Sequence, residues 1–478
     1  MIGAMTDSPH DTATTEPDHT EQPAAPSDQA AQPTQPAAPS DPAALALMPL
    51  LTPEGWALLG SLPPYDEAEA LSLTESLREE GHSPELVAAA LSQQRLRGRA
   101  EAKFGPFATA MLFTPDGLEQ ATRLAVAARH AARYSAAGAS RVADLGCGIG
   151  GDAMALAGLG LAVLAVERDE ATAALATINL MPFEQARVRC ADALGIDLEA
   201  EGVDAVFADP ARRAGGRRIT DPEQWSPALS ELLALRESVP ALGLKVAPGL
   251  DHAAIPDDAH AQWVSVDGAV VEAGLWFGPL APEGPGRSAL CLRTGGADGA
   301  SAEAGGTGAV SASVLRDESG AAPSSQPEQA EPIGGIDELG ALIIEPDGAA
   351  IRAGLVAQVA RSAGARPVGS RIAYLTADEA PGAELEPFVR AWRIVDVLPL
   401  HLKSLKARVR ERGITRLEIH KRGVDVSPDQ LRTALRLRGG KGNEGETWLL
   451  TRIGAQGGEG EKGSKGAKGA VLVVAPTP

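Results

Sequence analysis

The chain has 478 residues, a formal net charge of −20 and only 3 % aromatic residues. That length exceeds a single core and implies about two to four domains. Three scattered cysteines without CxxC spacing exclude a disulfide framework and a zinc site, and no apolar run reaches the roughly 18 residues of a membrane span. These features predict a soluble protein of the reducing cytoplasm, with no metal and no membrane partner.

In chain order, residues 1–42 hold seven acids and no Lys or Arg, set among Pro, Ala, Thr and Gln. With almost nothing apolar to bury, this stretch predicts a disordered acidic tail. It has neither the basic nor the apolar region of a secretion signal. Residues 43–133 turn helical. "SPELVAAALSQQRLRGRAEAKF" opens with Ser83 as a cap and Pro84 at the first helical position, and "TPDGLEQATRLAVAARHAARY" opens in the same way with Thr114 and Pro115. A small helical domain is expected. "KFGPFATAMLFTPDG" gathers Phe104, Phe107 and Phe113, three of the seven phenylalanines in the chain. Docking of the helices onto the next domain is the simple use of these rings.

From Ala139 the rhythm changes to short apolar strands alternating with helices: "RVADLG", "AVLAVE", "ARVRCAD", "VDAVFAD" and "GLKVAP". This alternation predicts an α/β, Rossmann-like domain over 134–294, with a parallel sheet between two helix layers. "AVVEAGLWFG" and "SALCLRT" are expected to close that sheet as an antiparallel pair. Residues 295–335, rich in Gly, Ser, Ala and acid, predict a disordered linker. Residues 336–478 mix strands with helices, an α+β pattern, and "GAQGGEGEKGSKGAKG" there predicts a long hairpin loop.

The most informative segment is "VADLGCGIGGD". An apolar strand ends in Asp144, a turn with Gly146, Gly148 and Gly150 follows, and a helix starts near Asp152. Such glycines let the backbone approach a ligand and meet it with a helix N-terminus. The next strand ends in Glu167, sixteen residues after Gly151, where an acid can accept from ribose hydroxyls. The third ends in Asp192, placed to accept from an adenine amino group, and the fourth in Asp209-Pro210. A glycine turn with a ribose acid also suits a dinucleotide site, but that fingerprint wants G-x-G-x-x-G and has no use for the last two acids.

Acids at four successive strand ends, with D-x-G-x-G-x-G, resemble the class I S-adenosylmethionine-dependent methyltransferase family over about 160 residues, Arg133 to Thr294. The resemblance implies S-adenosyl-L-methionine as cofactor, held by Asp144, Gly146, Gly148, Gly150, Asp152, Glu167 and Asp192. It makes Asp209 and Pro210 the catalytic edge, where amine methyltransferases carry Asp/Asn-Pro-Pro-aromatic. This chain instead has Ala211-Arg212, and Arg212 or Arg213 can lie flat on a base in place of the aromatic. Gly215 and Gly216 are expected to hinge this loop. "LFTPDGLEQAT" resembles the segment preceding the cofactor turn in trimethylguanosine cap synthases and related RNA methyltransferases, which implies that Phe113 and Thr114 line the acceptor pocket.

Asp396 to Lys441 runs against the overall charge, with twelve Lys/Arg and five acids. Its "LEIHKRGVDV" resembles the THUMP-like domain at the C-terminus of a bacterial methyltransferase family. That implies an RNA partner, gripped by basic residues including Lys421, Arg422, Arg436 and Arg438. The function so implied is methylation of a base in structured RNA, tRNA or rRNA. The alternative is a small-molecule or protein side-chain acceptor, with the C-terminal domain serving dimerisation or regulation. Oligomeric state is left open.

Overall fold

The computed structural model describes residues 42–214, 217–295, 310–437, 445–454 and 468–477. The expected tail up to residue 41, the Gly215–Gly216 hinge, Arg438 and the 455–467 hairpin loop lie outside the described residues.

The N-terminal helices are α1 (Pro42–Leu45), α2 (Pro53–Ser61), α3 (Ala70–Glu79) and α4 (Pro84–Phe104). Ser83 caps α4 by accepting from Leu86 N–H, the role its sequence position demands. The second expected helix is two, α5 (Pro115–Gln120) and α6 (Leu124–Ala136), although no Gly or Pro separates them. The break is stabilised from α4. Lys103 Nζ donates to Leu118 O at 2.7 Å, Glu119 O at 2.7 Å and Ala121 O at 2.9 Å, which satisfies carbonyls that the interrupted helix leaves open.

The central sheet contains β1 (Arg141–Leu145), β2 (Ala162–Glu167), β3 (Ala186–Cys190) and β4 (Ala205–Ala208). A short ribbon, β5 (Arg213–Ala214) with β6 (Arg217–Arg218), stands apart from it. The sheet continues with β7 (Ala241–Val246), β8 (His260–Val266), β9 (Ala269–Trp276), β10 (Gly286–Thr294) and β11 (Val310–Arg316). Its order is β11-β10-β8-β9-β7-β4-β1-β2-β3. Helices α7 (Gly151–Gly158), α8 (Glu170–Leu180) and α9 (Leu229–Ala234) follow β1, β2 and the ribbon. Strands β1, β2, β3, β4 and β7 are parallel, and the inner ones, β1, β4 and β7, are buried almost along their length, whereas the edge strand β3 is mostly exposed.

Two expectations fail at the other end of the sheet. Strands β9 and β10 do not pair with each other. β9 lies antiparallel between β7 and β8, and β10 runs parallel to β8. The region expected as a linker is also partly structured. β11 pairs antiparallel with β10 from Ser288↔Arg316 to Thr294↔Val310. The chain beyond it is pinned by buried Arg287, which donates to Asp317 Oδ2 at 2.8 Å and to Ser325 O at 3.2 Å.

The C-terminal sheet comprises β12 (Leu342–Pro346), β13 (Arg366–Pro367), β14 (Leu375–Ala377), β15 (Val389–Pro399), β16 (Arg416–Lys421), β17 (Gly445–Ile453) and β18 (Lys468–Pro476). The order is β13-β14-β12-β15-β18-β17-β16. The sheet curls. A parallel bridge joins Gly369 to Gly454, and Arg422, just past β16, reaches Glu345 on β12 at 2.8 Å. Helices α12 (Leu402–Arg412) and α13 (Pro428–Leu435) cover one face, where Leu405, Leu431 and Leu435 meet Leu417, Ile419 and Trp448.

The two sheets share a core. Helix α10 (Gly348–Arg352), followed by α11 (Val356–Ser362), places Ala349, Ala350 and Ala353 in one apolar cluster with Trp263, Ala273 and Ala289 of the central sheet. The seat is tight, since a Cβ on Gly348 would lie 2.5 Å from Val270 Cγ2. A fragment ending at residue 335 is therefore expected to expose this cluster and aggregate, or to melt without a cooperative transition. A soluble fragment with a sharp melt by calorimetry would show that the core is not shared.

Candidate active site

The C-terminal ends of β1, β2, β3, β4 and β7 open onto one cleft of about 720 Å³. Ligand sites of open α/β sheets form at such strand ends. Asp144, Gly146, Gly148, Asp152, Glu167, Asp192, Asp209, Pro210, Thr114 and Arg212 all line it. Four acids widely spaced in sequence thus come together because each ends a neighbouring parallel strand.

The glycine turn has a steric reason. Gly146 has φ +84°, and a Cβ there would stand 2.8 Å from the Asp209 carbonyl oxygen, so the turn passes directly over the end of β4. Gly150 caps α7 in the left-handed region at φ +89°.

The acids differ in environment. Asp144 is buried, and its Oδ2 finds no hydrogen-bond partner among the described residues. Burial, then the charges of Asp152 and Asp209, push its carboxyl well above the ordinary range against the pull of Lys245. Glu167 is half-buried and accepts from Gly148 N–H at 3.1 Å and Asp169 N–H at 3.0 Å. Asp192 is exposed at the mouth and caps the turn at Ala193–Gly195. Asp152 lines the cleft, but both of its oxygens are engaged inward. Thr122 Oγ1 donates to Oδ2 at 2.6 Å, and His130 Nδ1 lies 2.9 Å from Oδ1. Burial opposes ionisation of Asp152, and the hydrogen bond and charge of His130 overrule it and lower its pKa.

The loop after β4 is braced. Ala211 and Ser226 exchange backbone hydrogen bonds of 2.9 and 3.1 Å, and Ile219 N–H donates to Arg212 O at 2.8 Å. Arg212 Nη2 lies 3.5 Å from Asp209 Oδ1, and Arg168 Nη1 donates to Ser226 Oγ at 3.0 Å. The Arg213 side chain lies outside the described residues.

Phe113 corrects an expectation. It is fully buried, packs on Phe104 at 5.6 Å between ring centroids, and does not border the cleft. Its backbone is clamped by Gln93, which donates to Phe113 O at 2.6 Å and accepts from Phe113 N–H at 2.9 Å. Thr114 does border the cleft, as the cap of α5. In the C-terminal domain Lys421 and Arg436 are exposed. Arg422 is committed to Glu345 and lies 5.5 Å over Tyr374, so it is not a free grip for an anionic partner.

Sequence reasoning missed Lys245, the penultimate residue of β7. It is 6 % exposed, and its Nζ donates to Asp209 Oδ2 at 2.6 Å and to Thr122 Oγ1 at 2.8 Å. The signal was present in "GLKVAP", because a lysine inside a strand buried on both faces needs a specific partner. His130 and Glu272 complete the network at 2.6 Å. Among the described residues no group of three or more His, Cys, Asp or Glu is arranged to hold a metal ion.

A buried carboxylate oxygen unpartnered among the described residues, a glycine turn whose Gly146 and Gly148 line the cleft, and two further carboxylates at adjacent strand ends suit a cationic adenosine derivative. The fold and site define an α/β methyltransferase. Two comparisons with known proteins carry this further. Over 368 residues the chain is 30 % identical to an S-adenosylmethionine-dependent methyltransferase of Mycobacterium tuberculosis (strain H37Rv), covering 75 % of this chain and 91 % of that one. The same match is found in strain CDC 1551. A solved structure from Porphyromonas gingivalis W83, described as a methyltransferase, covers 87 % of this chain and 100 % of its own at a TM-score of 0.57 and 18 % identity, which shows the shared fold. Residues 389–461 match the family described as THUMP domain-like, and residues 43–100 match a domain of unknown function, DUF8688. The chain belongs to the S-adenosylmethionine-dependent methyltransferases, with a THUMP-like domain at its C-terminus, and S-adenosyl-L-methionine is its cofactor.

Proposed function

We propose that the protein methylates a nitrogen of a base in structured RNA. The observation that carries this reading is the pairing of the methyltransferase cleft with a THUMP-like domain through one shared core. Exposed cations on that domain, Lys421 and Arg436 among them, support it, since several such groups together neutralise phosphates.

S-adenosylmethionine supplies an electrophilic methyl when bound. Asp144, Glu167 and Asp192 would hold it. Asp209 has Oδ2 occupied by Lys245, and its Oδ1, which Arg212 Nη2 meets at 3.5 Å, keeps a lone pair to accept one N–H of the acceptor amine. That hydrogen bond orients the nitrogen lone pair, and the methylated amine then releases its proton to water.

Incubation with tritiated cofactor and total RNA from cells lacking the gene, followed by digestion to nucleosides, is expected to place the label in one modified nucleoside. RNA binding is expected to weaken steeply with salt, and Lys421→Glu with Arg436→Glu to lower the slope of log affinity against log salt by about 2. Label confined to protein or small molecules would overturn the reading. It would favour the alternative acceptor class, for which the C-terminal domain, through α10, is a structural support.

A further inference from the structure

We infer that Lys245 is the positioning residue of methyl transfer: it clamps Asp209 Oδ2, turns Oδ1, which Arg212 Nη2 meets only at 3.5 Å, toward the acceptor, and ties that carboxylate through Thr122 to the cofactor helix. The inference rests on the reading of Asp209 as the acceptor-side group.

Three observations lead to it. The ammonium is 6 % exposed on a strand buried along its whole length, a position a lysine holds only against a fixed partner. Its two hydrogen bonds, 2.6 Å to Asp209 and 2.8 Å to Thr122, join β4 to the α5–α6 break. Thr122 passes the connection on to Asp152 in the first turn of α7 at 2.6 Å. The acceptor carboxylate and the cofactor helix are thus held by one side chain. The cluster around Lys245 also contains charges from every neighbouring element. Asp144 lies on β1, His130 on α6, Glu272 on β9, Arg212 beside Asp209, and Lys103 on α4. Burial opposes charge on Lys245, but Asp209, Asp152 and Glu272 raise its pKa, so it stays an ammonium across the working pH range. A permanent cation at 2.6 Å fixes the Asp209 carboxyl in place, so that it can orient an amine by accepting its N–H.

The test uses the full chain, tritiated S-adenosylmethionine and a total extract of cells lacking the gene as acceptor. Initial rates are followed, with calorimetry of cofactor binding alongside. Lys245→Met is expected to cut the rate about 100-fold, as misplacement of a reacting group does, while cofactor affinity stays within about threefold of wild type. Lys245→Arg, which keeps the charge and the donors, is expected to recover at least about tenfold of that loss. Thr122→Val, which removes only the tether, should lower the rate about 5- to 10-fold. A folded Lys245→Met or Thr122→Val variant with the wild-type rate overturns the inference, and so does a Lys245→Arg variant no faster than Lys245→Met. Asp209→Asn separates the two layers. If it turns over like wild type, the reading of Asp209 fails. If it is inactive while Lys245→Met keeps the wild-type rate, the role of Lys245 fails alone. An extract that the wild type does not label overturns both.

Discussion

Asp144→Ala is expected to weaken S-adenosylmethionine binding about 100-fold, equivalent to roughly 3 kcal/mol lost from a charge-assisted contact. The cause is the solitary state of its Oδ2, which is sealed from water without a partner and placed where a cationic ligand restores one. Because burial and the nearby Asp152 and Asp209 raise its pKa, a cation bound beside this carboxyl competes with its proton. Affinity is therefore expected to rise with pH. Binding should release protons, seen as a buffer-dependent enthalpy in phosphate against Tris calorimetry. The sign for stability runs the other way. The stabilising share of Asp144 is complete below the ordinary carboxylate pKa and is lost as pH rises through the raised one. Asp144→Asn should consequently melt higher than wild type in alkaline buffer while binding cofactor without the buffer dependence. A binding enthalpy identical in the two buffers would refute this.

His130→Gln is expected to cost about 3–5 kcal/mol of stability at pH 6, the usual consequence of removing one member of a buried ionic set. The imidazole is enclosed, with Asp152 on one nitrogen at 2.9 Å and Glu272 on the other at 2.6 Å. Burial disfavours its charge, but Glu272 and Asp152 raise its pKa to about 10. A raised pKa stabilises the fold fully below the unfolded value near 6.5, and that share is lost as pH climbs through about 10. The gap between wild type and variant in guanidinium unfolding should then narrow between pH 7 and pH 10.5. A gap constant over that range would show that His130 is neutral and the triad merely hydrogen-bonded.

Much of this site could be read from the sequence because local pattern and global position coincide there. Strands β1, β2, β3 and β4 each have a carboxylate at or near their C-terminal end, so a short strand pattern closed by an acid was enough to place Asp144, Glu167, Asp192 and Asp209 on one edge. What escaped depends on partners distant in the chain. The α5–α6 break has no punctuating residue of its own and relies on Lys103 from the preceding helix. Strand β11 reads as Ser/Ala-rich linker and exists only by pairing with β10. Phe113 sat in a segment with functional resemblance, yet its ring is claimed by Phe104 and its backbone by Gln93. Arg422 looked like one of many surface cations until the curl of the second sheet brought Glu345 to it.

The seating of α10 in the central core has a consequence for recognition. With its first helix embedded, the C-terminal domain shares its footing with the cleft, so the two surfaces are tied through one core. On the reading proposed above, an acceptor that spans both surfaces in one shape is expected to be favoured over one too short or too pliant to meet both.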